Sequence, residues 1–249
     1  MAASTGNFAV GRPGAAERRC DGPWLLAIDT GTSRIVVAAG RADGALIAGL
    51  DWPAEHRHGE RLLAGINALI AETACSRARI RAVIVGTGPG AFTGLRVGLA
   101  TAKTLAHALD LPLVGVSTGD ALLEAAASSG IGGGSARANL VLSVPAGPRD
   151  RTLVRVGEPP LLVPGGGEPV RAPGEVEVAV DLDGRATDEA VELGRVALAG
   201  LGGALLRLGA ARLAAGSTDD PAGLVPEYVT LPRGAGTGAG AITLSSDPR

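Results

Sequence analysis

The stretch Gly86-Thr87-Gly88-Pro89-Gly90-Ala91-Phe92-Thr93-Gly94-Leu95-Arg96-Val97-Gly98-Leu99 sets four glycines and a proline between an apolar run and a helical pattern. The run before it, Ala82-Val83-Ile84-Val85, is β-branched and too short for a helix, which predicts a buried strand. A strand entering a glycine-rich turn that opens a helix presents backbone N–H groups to an anion. Thr93 is placed to cap that helix through its hydroxyl. The same chemistry also serves a plain strand-to-helix turn, and loop composition alone does not separate the two readings.

The chain around this loop has 249 residues, 46% hydrophobic, enough for one large or two small domains with a core. Aromatic residues make up only 2%, so Ala, Val, Leu and Ile must build that core, and base-stacking platforms are not expected. A formal net charge of −2 supplies no long-range attraction to nucleic acid or to an anionic membrane. Cys20 and Cys75 share no motif spacing, which predicts neither a disulfide framework nor a zinc site and points to a reducing compartment. No apolar run is expected to reach the roughly 20 residues of a membrane span, and the first residues lack a secretory pattern. A cytoplasmic protein is therefore expected. Lys103 stands alone among arginines. Codon bias accounts for that, and so does a specific role for a compact ammonium.

Periodicity divides the chain. Residues 1–22 and 232–249 read as disordered tails, 23–128 as a first lobe and 129–231 as a smaller second lobe. Three strands joined by tight turns follow Trp24. An amphipathic helix over 60–73 carries Leu62, Leu63, Ile66, Leu69 and Ile70 on one face. The 82–85 strand, a helix over 94–109, a strand at Leu113-Val114-Gly115-Val116 and a helix over 121–127, capped by Ser117 or Thr118, complete a β-β-β-α-β-α-β-α order. The second lobe reads as strands near 139–144, 152–156 and 175–181, a Pro/Gly-rich interruption over 159–174 and a long helix over 187–214.

Asp29-Thr30-Gly31-Thr32 falls between the first two strands. It resembles the first phosphate motif of the actin, sugar-kinase and heat-shock-chaperone superfamily, whose acidic residue organises Mg²⁺ through water. An ordinary Asx turn has the same composition. Residues 25–31, His58-Gly59-Glu60-Arg61-Leu62-Leu63, the segment 85–98 with its Gly-Pro-Gly-Ala-Phe-Thr-Gly-Leu-Arg core, Ala102-Lys103 and Pro112-Leu113-Val114-Gly115-Val116-Ser117 together resemble the TsaB (YeaZ) family. The resemblance covers about residues 24–125. It implies an α/β fold, an actin-like or ribonuclease H-like mixed sheet with flanking helices, in two lobes.

It further implies a non-catalytic subunit of the machinery that makes N6-threonylcarbamoyladenosine beside the tRNA anticodon. Such a subunit dimerises or binds TsaD, has TsaE and the adenylate-forming TsaC as neighbours, and meets tRNA only through the complex. On that reading His58, Glu60, Leu63, Arg96, Leu99 and Lys103 belong to the partner surface, with Arg96 and Lys103 as polar anchors. Asp29, Thr30, Gly31, Thr32, Gly88, Gly90, Thr93 and Gly94 form the inherited phosphate loops. No catalytic residue, metal or cofactor is expected, apart from ATP or ADP at a subunit interface.

The second lobe departs from the family pattern. Ser143-Val144-Pro145-Ala146-Gly147-Pro148-Arg149 stands where an Asp-Ala-Arg motif is usual, and Thr230 ends the Pro226-Glu227-Tyr228-Val229-Thr230 element where arginine is usual. The His-x-x-x-His pair of TsaD is missing. His56 and His58 are two apart and point in different directions on a helix, so they form no one-face metal pair. A phosphoryl-transfer enzyme of the same superfamily is the alternative. It would draw Mg²⁺ coordination from Asp181 or Asp183 and an adenosine pocket from Gly165-Gly166-Gly167.

Overall fold

The computed structural model describes residues 9–11, 20, 22–54, 58–167 and 171–229, without the side chains of 9–11, 58–60 and 134–136. Its strands and helices are β1 (Ala9–Gly11), β2 (Trp24–Asp29), β3 (Arg34–Arg41), β4 (Leu46–Pro53), α1 (His58–Thr73), β5 (Ile80–Gly86), α2 (Phe92–Ala108), β6 (Leu113–Val116), α3 (Thr118–Ser128), β7 (Leu140–Pro145), β8 (Arg151–Val154), β9 (Leu161–Val163), β10 (Val176–Ala179) and α4 (Asp188–Ala214). The β-β-β-α-β-α-β-α order of the first lobe is the one its periodicity predicts.

Alternation along β2 decides how the first sheet is covered. Trp24, Leu26 and Ile28 join the apolar cluster that holds Leu62, Ile66 and Leu69 of α1 and Leu99, Ala102 and Ala106 of α2. Leu25 and Ala27 point the other way, into a cluster with Leu122 and Leu123 of α3 and Leu201, Leu205 and Leu206 of α4. The sheet runs β1-β4-β3-β2-β5-β6. Its meander half is antiparallel, while β2-β5 and β5-β6 are parallel.

A second sheet, β10-β7-β8-β9, has β10 and β7 parallel and the other pairs antiparallel. Thr187 starts α4 by accepting from the Ala190 N–H, and Asp188 and Glu189 complement its N-terminal dipole. Because α4 packs on α3, on β2 and β3 and on β10, one apolar cluster runs through both lobes. By length and composition α4 would also cross a membrane, contrary to the expectation of no such run. Half of its apolar window is buried between the two sheets.

Three expectations need correction. Ala9–Gly11, within the supposed tail 1–22, pairs antiparallel with Asp51, Leu50 and Gly49 of β4. Cys20 and Cys75 form a disulfide with a Cα–Cα distance of 4.9 Å, inside the range a bridge allows. A three-residue strand shows no periodicity, and a pairing across 55 residues leaves no local spacing to read. Finally, β9 lies inside the Pro/Gly-rich interruption. The remainder of the first tail and the second tail, 232–249, lie outside the described residues.

Leu201 sits fully buried in the cluster shared by both lobes. Leu201→Ala is expected to lower stability by about 2–5 kcal/mol. Both tryptophans lie in the first sheet, whereas far-ultraviolet dichroism reports both lobes. Urea unfolding followed by fluorescence and by dichroism should therefore give coincident transitions, and separated midpoints would contradict the shared core.

Candidate functional site

Asp29 ends β2 with its carboxylate fully buried, and what surrounds it explains how a charged group can sit there. Oδ1 accepts from the Gly31 N–H at 2.8 Å and Oδ2 from the Thr118 hydroxyl at 2.6 Å. The Thr118 oxygen in turn accepts from the Gly88 N–H at 3.1 Å. One threonine at the start of α3 thus ties the Asp29 turn to the glycine-rich loop. Burial pushes the Asp29 carboxyl up to about 6 from its ordinary 3.8. The Thr118 and Gly31 bonds pull it down, and the nearby Asp181 charge adds to the rise.

The two loops interlock. Ala91 N–H donates to the Gly31 carbonyl at 2.7 Å, and the Thr30 hydroxyl donates to the Gly94 carbonyl at 2.7 Å. A Cβ at Gly90 would strike the Gly31 carbonyl, and one at Gly94 the Thr30 carbonyl. Here the glycines clear space for the neighbouring backbone. The expected cap is not Thr93, which is exposed. Ala91 holds the N-cap position in extended conformation and makes no side-chain bond, and its own N–H ties the helix start to the first turn. Ser117 caps α3, accepting from the Asp120 N–H at 3.3 Å.

A cleft of about 590 Å³ opens beside this knot. Gly31, Thr32, Ser33, Pro89 and Gly90 line one wall, Val144 to Gly147, Thr152 and Asp181 the other, and Phe92, Tyr228 and Val229 its mouth. The divergent 143–150 segment therefore supplies a wall of the cleft. Ser143 itself is buried behind it and donates to Glu177 at 2.7 Å. Asp181 lines the cleft, whereas Asp183 pairs with Arg195 at 3.0 Å on the exposed surface. The 165–167 glycines lie apart from the cleft, held by the bond from Gly165 N–H to Asp150. The groups that the phosphoryl-transfer alternative required are thus not brought together. Among the described residues no three His, Cys, Asp or Glu side chains converge as a metal set.

The segment after α4 crosses the site. Asp219 N–H donates to the Leu113 carbonyl at 2.8 Å, and Glu227 N–H to the Thr87 carbonyl at 2.7 Å. Burial raises the half-buried Glu227 carboxyl, Asp120 adds to the rise and a bond from Ser117 opposes it. Tyr228 rests against Phe92 with ring centroids 4.9 Å apart. Arg96 lies 3.8 Å over the Phe92 ring and donates to the Tyr228 hydroxyl at 2.9 Å.

Of the expected partner-surface residues, Leu63 is 52% exposed and Lys103 partly so, on neighbouring helices. Leu99 is corrected: at 3% exposure it belongs to the core under α2. Leu109, the last residue of the helix expected over 94–109, lies beyond the helix end and is exposed. His58 and Glu60 open α1, but their side chains lie outside the described residues. Thr118 and Tyr228 escaped the sequence reading as site residues. The only signals were a candidate cap and a weak C-terminal motif.

A family model described as TsaD, tRNA N6-adenosine threonylcarbamoyltransferase, matches residues 53–149. An uncharacterised protein of Mycobacterium tuberculosis is 40% identical over 99 residues, 39% of this chain and 47% of that protein. The tRNA threonylcarbamoyladenosine biosynthesis protein TsaB of Escherichia coli is 39% identical over 95 residues, 38% of this chain and 40% of its own length. Its Bacillus subtilis namesake is 31% identical over 106 residues, 43% and 44% of the two chains. The chain thus spans under half the length of these curated relatives. YeaZ from Pseudomonas aeruginosa superposes with a TM-score of 0.64 at 21% identity, covering 83% of this chain and 100% of that one. That likeness carries the fold, which is the one the sequence resemblance implied.

Asp29 binds its proton more tightly folded than unfolded, so its stabilisation is complete below about pH 3.8 and is lost as pH rises through about 6. Relative to Asp29→Asn, the parent chain should lose about 3 kcal/mol of stability across that window and then level off. Urea titrations at a series of pH values measure the difference, and a flat difference would show a carboxyl without that shift.

Proposed function

From a first lobe similar in sequence to TsaB proteins, we propose that this chain belongs to the TsaB (YeaZ) family of the actin-like ATPase superfamily and is a cytoplasmic, non-catalytic subunit of the tRNA threonylcarbamoyladenosine machinery. It presents α1 and α2 to a TsaD-type partner or to a second copy of itself.

The observation that carries this reading is the way α2 is held. Its inner stripe, Gly94, Leu95, Gly98, Leu99, Ala102 and Ala106, is buried, and its first turn is bonded to the Gly31 carbonyl. A helix fixed so firmly at its start presents its outer face in one orientation. That face carries Lys103, and the adjoining α1 carries the exposed Leu63. An apolar side chain next to a few cationic anchors is what interface cores use. The same glycines that in a nucleotide enzyme would approach a phosphate here approach protein backbone. TsaE joins the assembly through the partner, and tRNA is met by the complex.

The test is co-purification with TsaD from the same organism, followed by reconstituted threonylcarbamoylation with TsaC and TsaE. The parent chain should bind TsaD and stimulate modification. Leu63→Glu combined with Lys103→Glu should weaken binding by about tenfold or more, the worth of about 1.4 kcal/mol, without changing the dichroism spectrum. A parent chain that leaves TsaD unbound, or a double variant that binds as well as the parent, would overturn the proposal. ATP turnover by the chain alone, abolished in Asp29→Ala, would favour the phosphoryl-transfer enzyme.

A further inference from the structure

The actin-like fold implies a nucleotide and its magnesium ion in the cleft between the lobes, and the residues present do not fit them. We propose that the anion seat of the first-lobe turn is filled from within. The carboxylate of Asp181 occupies the position a phosphate would take on Ser33, latching the second lobe across the cleft and excluding nucleotide.

The first support is the use of donors. One Asp181 oxygen accepts from the Ser33 N–H at 2.6 Å and the other from the Ser33 hydroxyl. A phosphate on this turn would call on the same two groups, since a backbone N–H and a neighbouring hydroxyl are the donors such turns offer. Four further donors beside it are committed elsewhere. Gly31 N–H goes to Asp29, Ala91 N–H to the Gly31 carbonyl, the Thr30 hydroxyl to Gly94 and the Thr32 hydroxyl to the Arg34 carbonyl. Two charge-assisted bonds from one carboxylate reproduce what a phosphate oxygen pair would make.

The second support is charge. A phosphate entering the cleft would meet the Asp181 carboxylate and, behind the turn, that of Asp29. Among the described residues lining the cleft none is lysine or arginine. Arg96 lies just outside and is held between Phe92 and Tyr228. Bringing an anion against two carboxylates with no cation among the described lining residues is unfavourable, the more so beside the low-dielectric knot at Asp29.

The third support is the rigidity of the Asp181 mounting. Val180 and Leu182 on either side are buried, and Val180 N–H donates to the Ser143 carbonyl at 3.0 Å. Asp181 itself has φ of 58°, in the left-handed region that Asp and Asn tolerate better than most residues. This backbone turns the carboxylate out of the end of β10 towards Ser33, 148 residues earlier in the chain. The latch is independent of which partner α1 and α2 meet.

The experiment uses the full chain, Asp181→Asn, which keeps the shape and the left-handed preference, and Asp181→Gly, which keeps only the backbone. Amide hydrogen exchange at Ser33 and calorimetric titration with magnesium pyrophosphate and magnesium ATP are the readouts. The parent chain should show no saturable binding of either compound. Ser33 exchange should speed up about tenfold or more in Asp181→Gly, as the loss of a hydrogen bond to a charged acceptor requires, and by a smaller factor in Asp181→Asn, whose amide oxygen still accepts without the charge, while exchange along β2 and β3 stays unchanged. Saturable binding of magnesium ATP to the parent, lost in Asp181→Asn, would make Asp181 a metal-organising residue and overturn the proposal. Ser33 exchange unchanged in both variants would overturn it as well.

Discussion

Everything near the cleft depends on the buried hydrogen-bond chain from Gly88 N–H through the Thr118 hydroxyl to the Asp29 carboxylate. A carboxylate with no exposed surface is costly unless its lone pairs are met, and only two donors reach this one in the described structure. Those donors come from the turn after β2 and from the first residue of α3, while Thr118 also receives Gly88. Satisfying Asp29 therefore places three segments far apart in the chain. A Cβ at Gly86 would collide with the same carboxylate, so the end of β5 must stay bare for the arrangement to close.

From that knot the geometry propagates outwards. With Gly88 fixed, Gly90 and Gly94 lie against the Gly31 and Thr30 carbonyls, and α2 leaves the sheet in a direction set by backbone contact. Side-chain packing under α2 then completes what the loop begins, with Leu99, Ala102 and Ala106 on the first sheet. On the opposite face α4 plays the matching part for both sheets at once, which is why the second lobe, divergent in sequence, is still held in place.

The first lobe was legible because its signals are local. β-branched runs, a 3.6-residue apolar stripe in α1 and a glycine-rich turn before α2 each announce themselves within a dozen residues. The role of the glycines was not legible. A phosphate and a peptide carbonyl both demand bare backbone, and only the position of Gly31 and Thr30 in space tells which of them is met. Leu99 was assigned to the partner surface by the family resemblance, whereas it packs with Ala102 and Ala106 in the core under α2. The Cys20–Cys75 bridge, β1 and the Ser33–Asp181 contact are all long-range pairings, and a single sequence carries no trace of such registers.

The stack at the head of α2 refines what the outer face of this helix can offer. Arg96 read from spacing alone is a free cation. In the folded chain its guanidinium covers Phe92 and meets the Tyr228 hydroxyl, so it would give up both to reach another protein. A planar cation held on an aromatic face and by a hydroxyl is a poor candidate for an open anchor. On the proposed reading the weight of a partner contact therefore moves along the helices to Lys103 and Leu63. Arg96 then acts at one remove, by fastening the 217–229 segment across the mouth of the cleft. The cleft is thereby bounded by three internal contacts, Asp181 on Ser33, Glu227 on Thr87 and Tyr228 on Arg96, which all join late segments of the chain to the first lobe.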